Sequence, residues 1–316
     1  MKEVSIIGAG MAGLLAARLL KSKASVKVFA RQETLPHNHN AVLRFRTNAV
    51  SEATGIEFRK VNMVRTSINH LNPVAASLSY SFKCNGTAAS DRSIGKGTVE
   101  GERYIAPEDF IRKLASTADI QYSTDITEDL GKVLSSGGRP AITISTVPMP
   151  VLMLALEYPG RVDVTFGHRK GSVVKATLAN TDAFVSLYDP RPWTGWSRAS
   201  ITGCELSIEF PMFDAEHVKL DNRFWDDLMS QLGLSADFII SKSIEIKSQT
   251  FAKISPIDNE RRLAFIHWAT DKFSIYSLGR FATWRPGLLL DDLVNDIKLI
   301  DRWTDRKSMY DVVNHR

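Results

Sequence analysis

The opening residues constrain this chain more than any other stretch. Val4-Ser5-Ile6-Ile7 is a short apolar run of β-formers, and Gly8-Ala9-Gly10-Met11-Ala12-Gly13 follows it with G-x-G-x-x-G spacing. Apolar residues from Leu14 to Leu20 then recur at helical intervals. This order predicts a buried strand, a tight turn and a helix N-terminus, the phosphate-binding unit of a dinucleotide fold. Gly8 makes the turn, Gly10 lets backbone approach a pyrophosphate, and Gly13 lets the helix pack on the sheet. The free N–H groups of Ala9, Met11 and Ala12 and the positive end of the helix then face the phosphates.

With 316 residues the chain can bury a large core, and two interleaved lobes are expected. No apolar run approaches the roughly 20 residues that span a bilayer, and Met1-Lys2-Glu3 leads straight into a strand, so neither a membrane segment nor a signal peptide is expected. Cys84 and Cys204 offer no disulfide framework and no metal spacing, which fits a cytoplasmic protein. The net charge of +5 permits an anionic partner without demanding one. Oligomeric state leaves no signature.

Ser25 to Phe29 reads as the second parallel strand. An acid that holds a ribose is expected at its end, yet Ala30-Arg31 stands there. Glu33 offers a longer reach, and Arg31 offers a guanidinium for a 2′-phosphate or for the adenine face. His37 and His39 lack further ligands at metal spacing, so no metal is expected. Their loop leads to Arg44 and Arg46, each read either as an anion partner at the cofactor or as a surface arginine.

Short β-like pieces such as Ser77 to Lys83 are expected between residues 55 and 101, with an exposed loop over Asp91 to Thr98. Pro107 to Leu114 starts a helix. Ile120 to Tyr122 and Ala141 to Thr146 are strands, the latter closed by Val147-Pro148. Period two then predicts strands over Val162 to Phe166, Ser172 to Ala176, Ala183 to Tyr188 and Cys204 to Phe210, with a helix over Asn222 to Leu232. A last strand over Phe273 to Leu278 ends in Gly279-Arg280, and a helix follows with Asp291-Asp292 in its first turn. That recreates the geometry of the opening motif.

With both ends in view, the chain resembles the flavoproteins of the amine-oxidase and UDP-galactopyranose-mutase superfamily. The resemblance rests on the N-terminal glycines, on Ile144-Ser145-Thr146-Val147-Pro148, and on Gly279-Arg280-Phe281-Ala282-Thr283-Trp284 with Leu290-Asp291 beyond. Tyr188-Asp189-Pro190 through Trp196-Ser197-Arg198 also looks like a substrate-sheet hairpin of these enzymes. It implies FAD as cofactor, held by these glycines, Ala30, Arg31, Arg44, Thr146, Val147, Gly279, Arg280, Leu290 and Asp291. The implied fold is α/β, a Rossmann-like FAD-binding domain (1–50, 102–150 and 254–316) with an inserted, mostly antiparallel substrate sheet (51–101 and 151–253). The missing acid at Ala30 and the short chain depart from the pattern. The stretch Leu43 to Val50, with Gly279 to Pro286, is also similar to small bacteriophage flavoproteins, some of which act on amino-acid-modified thymidines in DNA; a phage protein would work in the host cytoplasm.

The resemblance implies an enzyme, an oxidoreductase or lyase that oxidises or cleaves a C–N bond of an amine. A site of this kind has an aromatic wall and often a lysine that orders water. Lys253 is the candidate lysine, or else a solvated strand lysine; Trp284, Tyr276 and Trp268 are candidate wall, or else core. Arg46, Arg191 and Arg198 with Arg44 suggest a positive mouth for a phosphate-bearing substrate, DNA included. A redox-neutral, mutase-like isomerase acting on a nucleotide sugar and a non-catalytic dinucleotide-binding protein are the rival expectations. No Ser-His-Asp, Cys-His or paired-carboxylate constellation offers other chemistry.

Overall fold

The computed structural model describes residues 2–35, 43–68, 72–88, 94, 97–135 and 142–305. His37 and His39 lie outside them, as does most of the Asp91 to Thr98 stretch. Strand β1 (Lys2–Ile7) runs into helix α1 (Met11–Leu20), and the chain returns in parallel as β2 (Ala24–Phe29). After β3 (Arg44–Phe45), α2 (Ala49–Thr54), β4 (Arg59–Ser67), α3 (Pro73–Asn85) and β5 (Val99–Ile105) come α4 (Phe110–Ala115), β6 (Asp119–Gln121), α5 (Ile126–Ser135), β7 (Ile142–Ser145) and α6 (Met149–Ala155). The rest is β8 (His168–Thr177), β9 (Ala183–Tyr188), β10 (Arg198–Gly203), β11 (Glu205–Pro211), α7 (Asn222–Gln231), β12 (Glu245–Ile254), α8 (Asn259–Phe273), β13 (Ile275–Ser277) and α9 (Leu290–Asp305).

The strands form two sheets. The first is wholly parallel, in the order β13-β7-β1-β2-β6. Successive side chains of β1 point to opposite faces, so Ile6 joins a core with Leu14, Leu114, Val294 and Ile297 while Ile7 joins one with Met149, Leu152 and Phe265. Both faces are therefore covered by helices, as an all-parallel sheet requires. The fold is α/β, as expected.

The second sheet runs β12-β8-β11-β10-β9-β4-β5-β3 and is antiparallel except where β4 meets β9. Its β3 and β5 lie at or across the ends of segments expected to belong to the cofactor unit. One face is apolar: Val174, Ala176, Leu206, Ile208, Ala199, Ile201 and Leu187 pack with Trp225, Leu228 and Met229 of α7. The other face is polar, because each strand alternates. Register aligns Lys175, Ser207, Ser200, Ser186 and Arg65 in one row across five strands, and Glu209, Arg198 and Tyr188 in the next.

Four expectations are corrected. Ser77 to Lys83 is helical, within α3; its alternation of serine with larger residues mimics a strand, but Asn72 caps the helix at Ala75 N–H and Gly86 ends it at φ +73°. Val162 to Phe166 is no strand, since Val162 lies within a short 3-10 turn, Pro159–Asp163, and is 90% exposed. Phe273 closes α8, which confines the last strand to Ile275–Ser277. Trp268 stands on that same helix, with its ring centroid 4.9 Å from that of Tyr158.

Candidate functional site

Gly8 has φ +103°, a conformation that side chains disfavour, and its N–H donates to the Phe29 carbonyl across the sheet. A Cβ built on Gly13 would stand 1.9 Å from the Gly8 carbonyl oxygen, so helix and turn touch as the motif predicts. Gly10 is different. It has φ −75°, and a Cβ there meets nothing within 4 Å. No fold requirement demands glycine at Gly10, and the space in front of it is open. No side chain caps α1, so its first-turn N–H groups face that space unmet by the helix ladder.

The space belongs to a cleft of about 650 Å³ between the two sheets. Ala9, Gly10, Met11 and Leu14 line one side. Arg198, Ser207, Glu209 and Phe210 of the second sheet line the other, with Phe251, Ala252 and Lys253 of β12. The β12–β8 register shifts between Gln249 and Lys253, and such irregularities re-aim side chains. That is how the sequence brings three consecutive residues to one cleft. Arg280 and Phe281 close the end, following Gly279 at φ +93°. A Cβ on Gly279 would lie 3.0 Å from that of Ala12, so the two glycine turns lean on each other.

The electrostatics centre on Glu209. Its carboxylate pairs with the Arg198 guanidinium, and Lys253 Nζ lies 3.8 Å from its Oε2. Burial works to raise the pKa of Glu209, but Arg198, Lys253 and Arg44 outweigh it and hold the carboxyl down at about 2. The same carboxylate holds Arg198 firmly in its charged form. Arg44 donates to Ser186 Oγ at 2.9 Å and contacts Met63 Sδ; burial, then the nearby Arg198, push it down to about 10. Tyr80 of α3 stacks edge-on against Tyr188, and burial raises its phenol well above the ordinary value.

No family model matches the sequence, and no curated protein matches it. Solved structures do. A reduced UDP-galactopyranose mutase superposes with a TM-score of 0.60 at 13% identity, covering 95% of this chain and 93% of its own. A conjugated-linoleic-acid-producing fatty acid isomerase from P. acnes gives 0.58 at 12% identity, with 96% and 98% covered. An FAD-dependent oxidoreductase from Pseudomonas aeruginosa gives 0.51 at 12% identity, with 96% and 90% covered. The likeness is one of fold.

Against this geometry, the expected residues divide. Gly8, Ala9, Gly10, Met11, Ala12 and Gly13 form the turn and first helical turn, and Lys253, Arg198 and Arg280 line the cleft. Thr146 Oγ donates to the Ile7 and Gly8 carbonyls at 3.0 and 3.2 Å, bracing the turn from β7, and Val147 packs in the core beside α6. Ala30 is buried and its N–H donates to the Gln121 carbonyl; Arg31 is exposed, and it is Gln32 that reaches the cleft.

Other expectations need correction. Trp284 and Tyr276 are outside the cleft lining. Trp284 is 1% exposed, at φ +48°, with its indole N–H on the Ser255 carbonyl at 2.8 Å; Tyr276 packs with the first-sheet core. Phe210, Phe251 and Phe281 supply the aromatic lining instead. Arg191 is tied down away from the cleft by Asp189, which it meets through two nitrogens at 2.9 Å, and by Asp227 at 2.9 Å. Arg44 stands on the second sheet rather than in a cofactor loop. Asp291 accepts from Arg46 N–H at 2.9 Å and Thr47 Oγ at 3.1 Å, and Leu289 rather than Leu290 reaches the cleft.

Glu209, Ser207 and Gln32 line the cleft but are not legible as site residues in the sequence. Glu209 alternates with apolar residues in Glu205–Pro211, the same pattern that any surface strand shows. Asp214, Glu216 and His217 bring ligand atoms within 4.8 Å of one another at the surface, a grouping that exposed carboxylates often show without an ion.

Proposed function

We propose that the chain is an FAD-dependent enzyme of the oxidoreductase type, with its cofactor on the first sheet and its substrate against the polar face of the second. The observation that carries this reading is Gly10: a glycine that the fold does not need, facing open space at an uncapped helix N-terminus. The donor set fits the group. First-turn N–H groups of α1 would meet the pyrophosphate, Gln32 would reach the adenosine side in place of the missing acid, and Arg280 would stand by the flavin end. Bound FAD supplies the exchange of a hydride with substrate.

The chain's own residues do the rest. Phe251 and Phe281 exclude water. Lys253, poised by Glu209, holds a water or a substrate oxygen, and Arg198 orients an electron-rich group. A protonated amine would face Arg198 and Lys253 with the one carboxylate, Glu209, already engaged by both, so the charge balance favours an anionic substrate over an amine. A modified base in DNA would bring phosphates, and it would also have to leave its stack to reach the cleft. Duplex DNA in a shift assay at low and moderate salt tests that variant, since phosphate contacts weaken steeply with salt.

The redox-neutral reading stands beside net oxidation, because a mutase and an isomerase share the fold. An absorbance spectrum of purified protein, before and after added FAD, tests the cofactor. Protein without flavin bands that also binds no added FAD would refute the reading and leave a non-catalytic nucleotide binder. Turnover only with pre-reduced flavin, and no net electron transfer, would select the isomerase.

A further inference from the structure

The polar face of the second sheet carries more cations than its fold uses. Arg44 is half-buried between Ser186 and Met63, and among the described residues no carboxylate lies within ion-pair distance of it. Beside it, Arg198 has one carboxylate, Glu209, which also faces Lys253. On the other side stands Arg103 of β5, which donates to the neighbouring Glu102 carbonyl, with Arg65 and Arg46 close enough to repel it. Arg46 lends its backbone N–H, rather than its guanidinium, to Asp291.

Arg191, by contrast, is compensated by two carboxylates, Asp189 and Asp227. A half-buried cation without a counter-charge destabilises the fold that holds it. The surroundings of Arg44 are also small. Ser186, Ser200 and Ser207 lie in one cross-strand row where larger side chains would fill the space, and their hydroxyls are donors; Ser186 and Ser200 lie 2.9 Å apart.

We propose that Arg198, Arg44 and Arg103 form an oxyanion subsite on the second sheet, which takes a phosphate or pyrophosphate group of the substrate. Planar guanidiniums on three strands suit a multiply charged group that accepts forked hydrogen bonds. A single carboxylate would satisfy fewer of them. The subsite deepens the proposed function by naming the substrate class, and it rests on that reading for the adjoining cofactor.

The test is titration of FAD-saturated protein with pyrophosphate, inorganic phosphate and acetate at matched ionic strength, read by calorimetry and thermal melting. Saturation with FAD blocks the glycine turn as a rival pyrophosphate site. Pyrophosphate should bind more tightly than acetate and raise the melting temperature. Arg44→Met and Arg103→Met should each weaken it at least about tenfold, the loss of one charge-assisted bond. In chloride alone, Arg44→Met should melt close to the wild type, because Glu209 keeps Arg198 and Lys253 as its nearer partners. Arg112→Met, at an exposed pair with Asp109, should change neither.

Wild-type protein that binds none of the anions overturns the proposal, and so does undiminished pyrophosphate binding in both variants. Acetate binding as tightly as pyrophosphate overturns the phosphate assignment. If the protein takes up no FAD, its spectrum has refuted the cofactor reading separately. The anion titration is then read on Gly10→Val, where binding that still depends on Arg44 supports the subsite and binding that does not overturns it.

Discussion

On one side of the cleft, Gly10 presents bare backbone, backed by the Gly8 and Gly279 turns; on the other, the second sheet presents serine hydroxyls, a guanidinium and a carboxylate. The first side recognises by close approach and by aligned N–H groups, which need almost no side chain. The second recognises by charge and hydrogen-bonding groups supplied strand by strand. A ligand between them would be held by shape at one end and by charge at the other. Substitutions should therefore fail differently on the two sides.

The largest expected effect separates two glycines of the same motif. Gly13→Val should prevent folding or lower the melting point drastically, because its Cβ already meets the Gly8 carbonyl at 1.9 Å. Gly10→Val should fold normally and lose FAD. Circular dichroism melts with flavin absorbance measure both. If Gly10→Val also unfolds, the bare-backbone side is structural and the contrast between the sides collapses.

Next comes the anchoring of the charged side. Asp189 is fully buried and is the main partner of Arg191, which sits outside the cleft. Asp189→Ala should cost about 3–5 kcal/mol, the usual result of stranding a buried charge. Urea denaturation of the variant measures it, and FAD affinity corrected for the folded fraction should be unchanged. A loss near zero would show that this hairpin is held by packing instead.

Glu209→Gln should cost less, about 1–3 kcal/mol, because its partners are partly exposed. Its pH signature is more specific. The folded carboxyl titrates near 2, below its ordinary value of 4.5, so its contribution is full above 4.5 and is lost as pH falls from there toward 2. Acid melts of wild type and variant should diverge least at the acid end. Parallel curves over that window would remove Glu209 from the centre of the cleft's charge balance.

The smallest effect lies at Lys83, whose ammonium donates to the carbonyls of Asp189 and Arg191 and to Thr194 Oγ under the same hairpin. Burial pushes Lys83 down to about 8 from 10.5. The unfolded chain then binds more protons between those values, so wild-type stability should gain a rising contribution from pH 8 toward 10.5. Lys83→Met should lose that slope while melting lower at neutral pH. An unchanged slope would mean that the three acceptors keep Lys83 as charged as in water.

The same contrast governs what the sequence reveals. The backbone side is written in consecutive residues: Gly8, Gly10 and Gly13 constrain one another at fixed spacing, and Gly279-Arg280 repeats the idea. Its strands are apolar on both faces, so Val4 to Ile7 and Ile142 to Ser145 stand out. The charged side is assembled by register from Arg44, Arg65, Arg103, Ser186, Arg198 and Glu209, which lie on six different strands. Each alone looks like an ordinary outward-facing residue of a half-buried strand. Lys253 was recognisable because of its place before Ile254-Ser255-Pro256, but the bulge that aims it was not. Trp284 misled in the opposite way: an aromatic beside a motif suggested a wall, while its indole serves the core.

The contact between Gly279 and Ala12 ties ligand capture to the timing of translation. The Gly8 turn leaves the ribosome long before the Gly279 turn that leans on it. β7, which pairs with β1, comes midway, and β13, which pairs with β7, comes just before Gly279. At ribosomal speeds the delay is roughly ten seconds or more. During that interval the first helix initially lacks the floor from β7, and then, once Ile142–Ser145 is made, still lacks the shoulder from Gly279. On the proposed reading, a nascent chain stalled before Gly279 should hold FAD far more weakly than a released one.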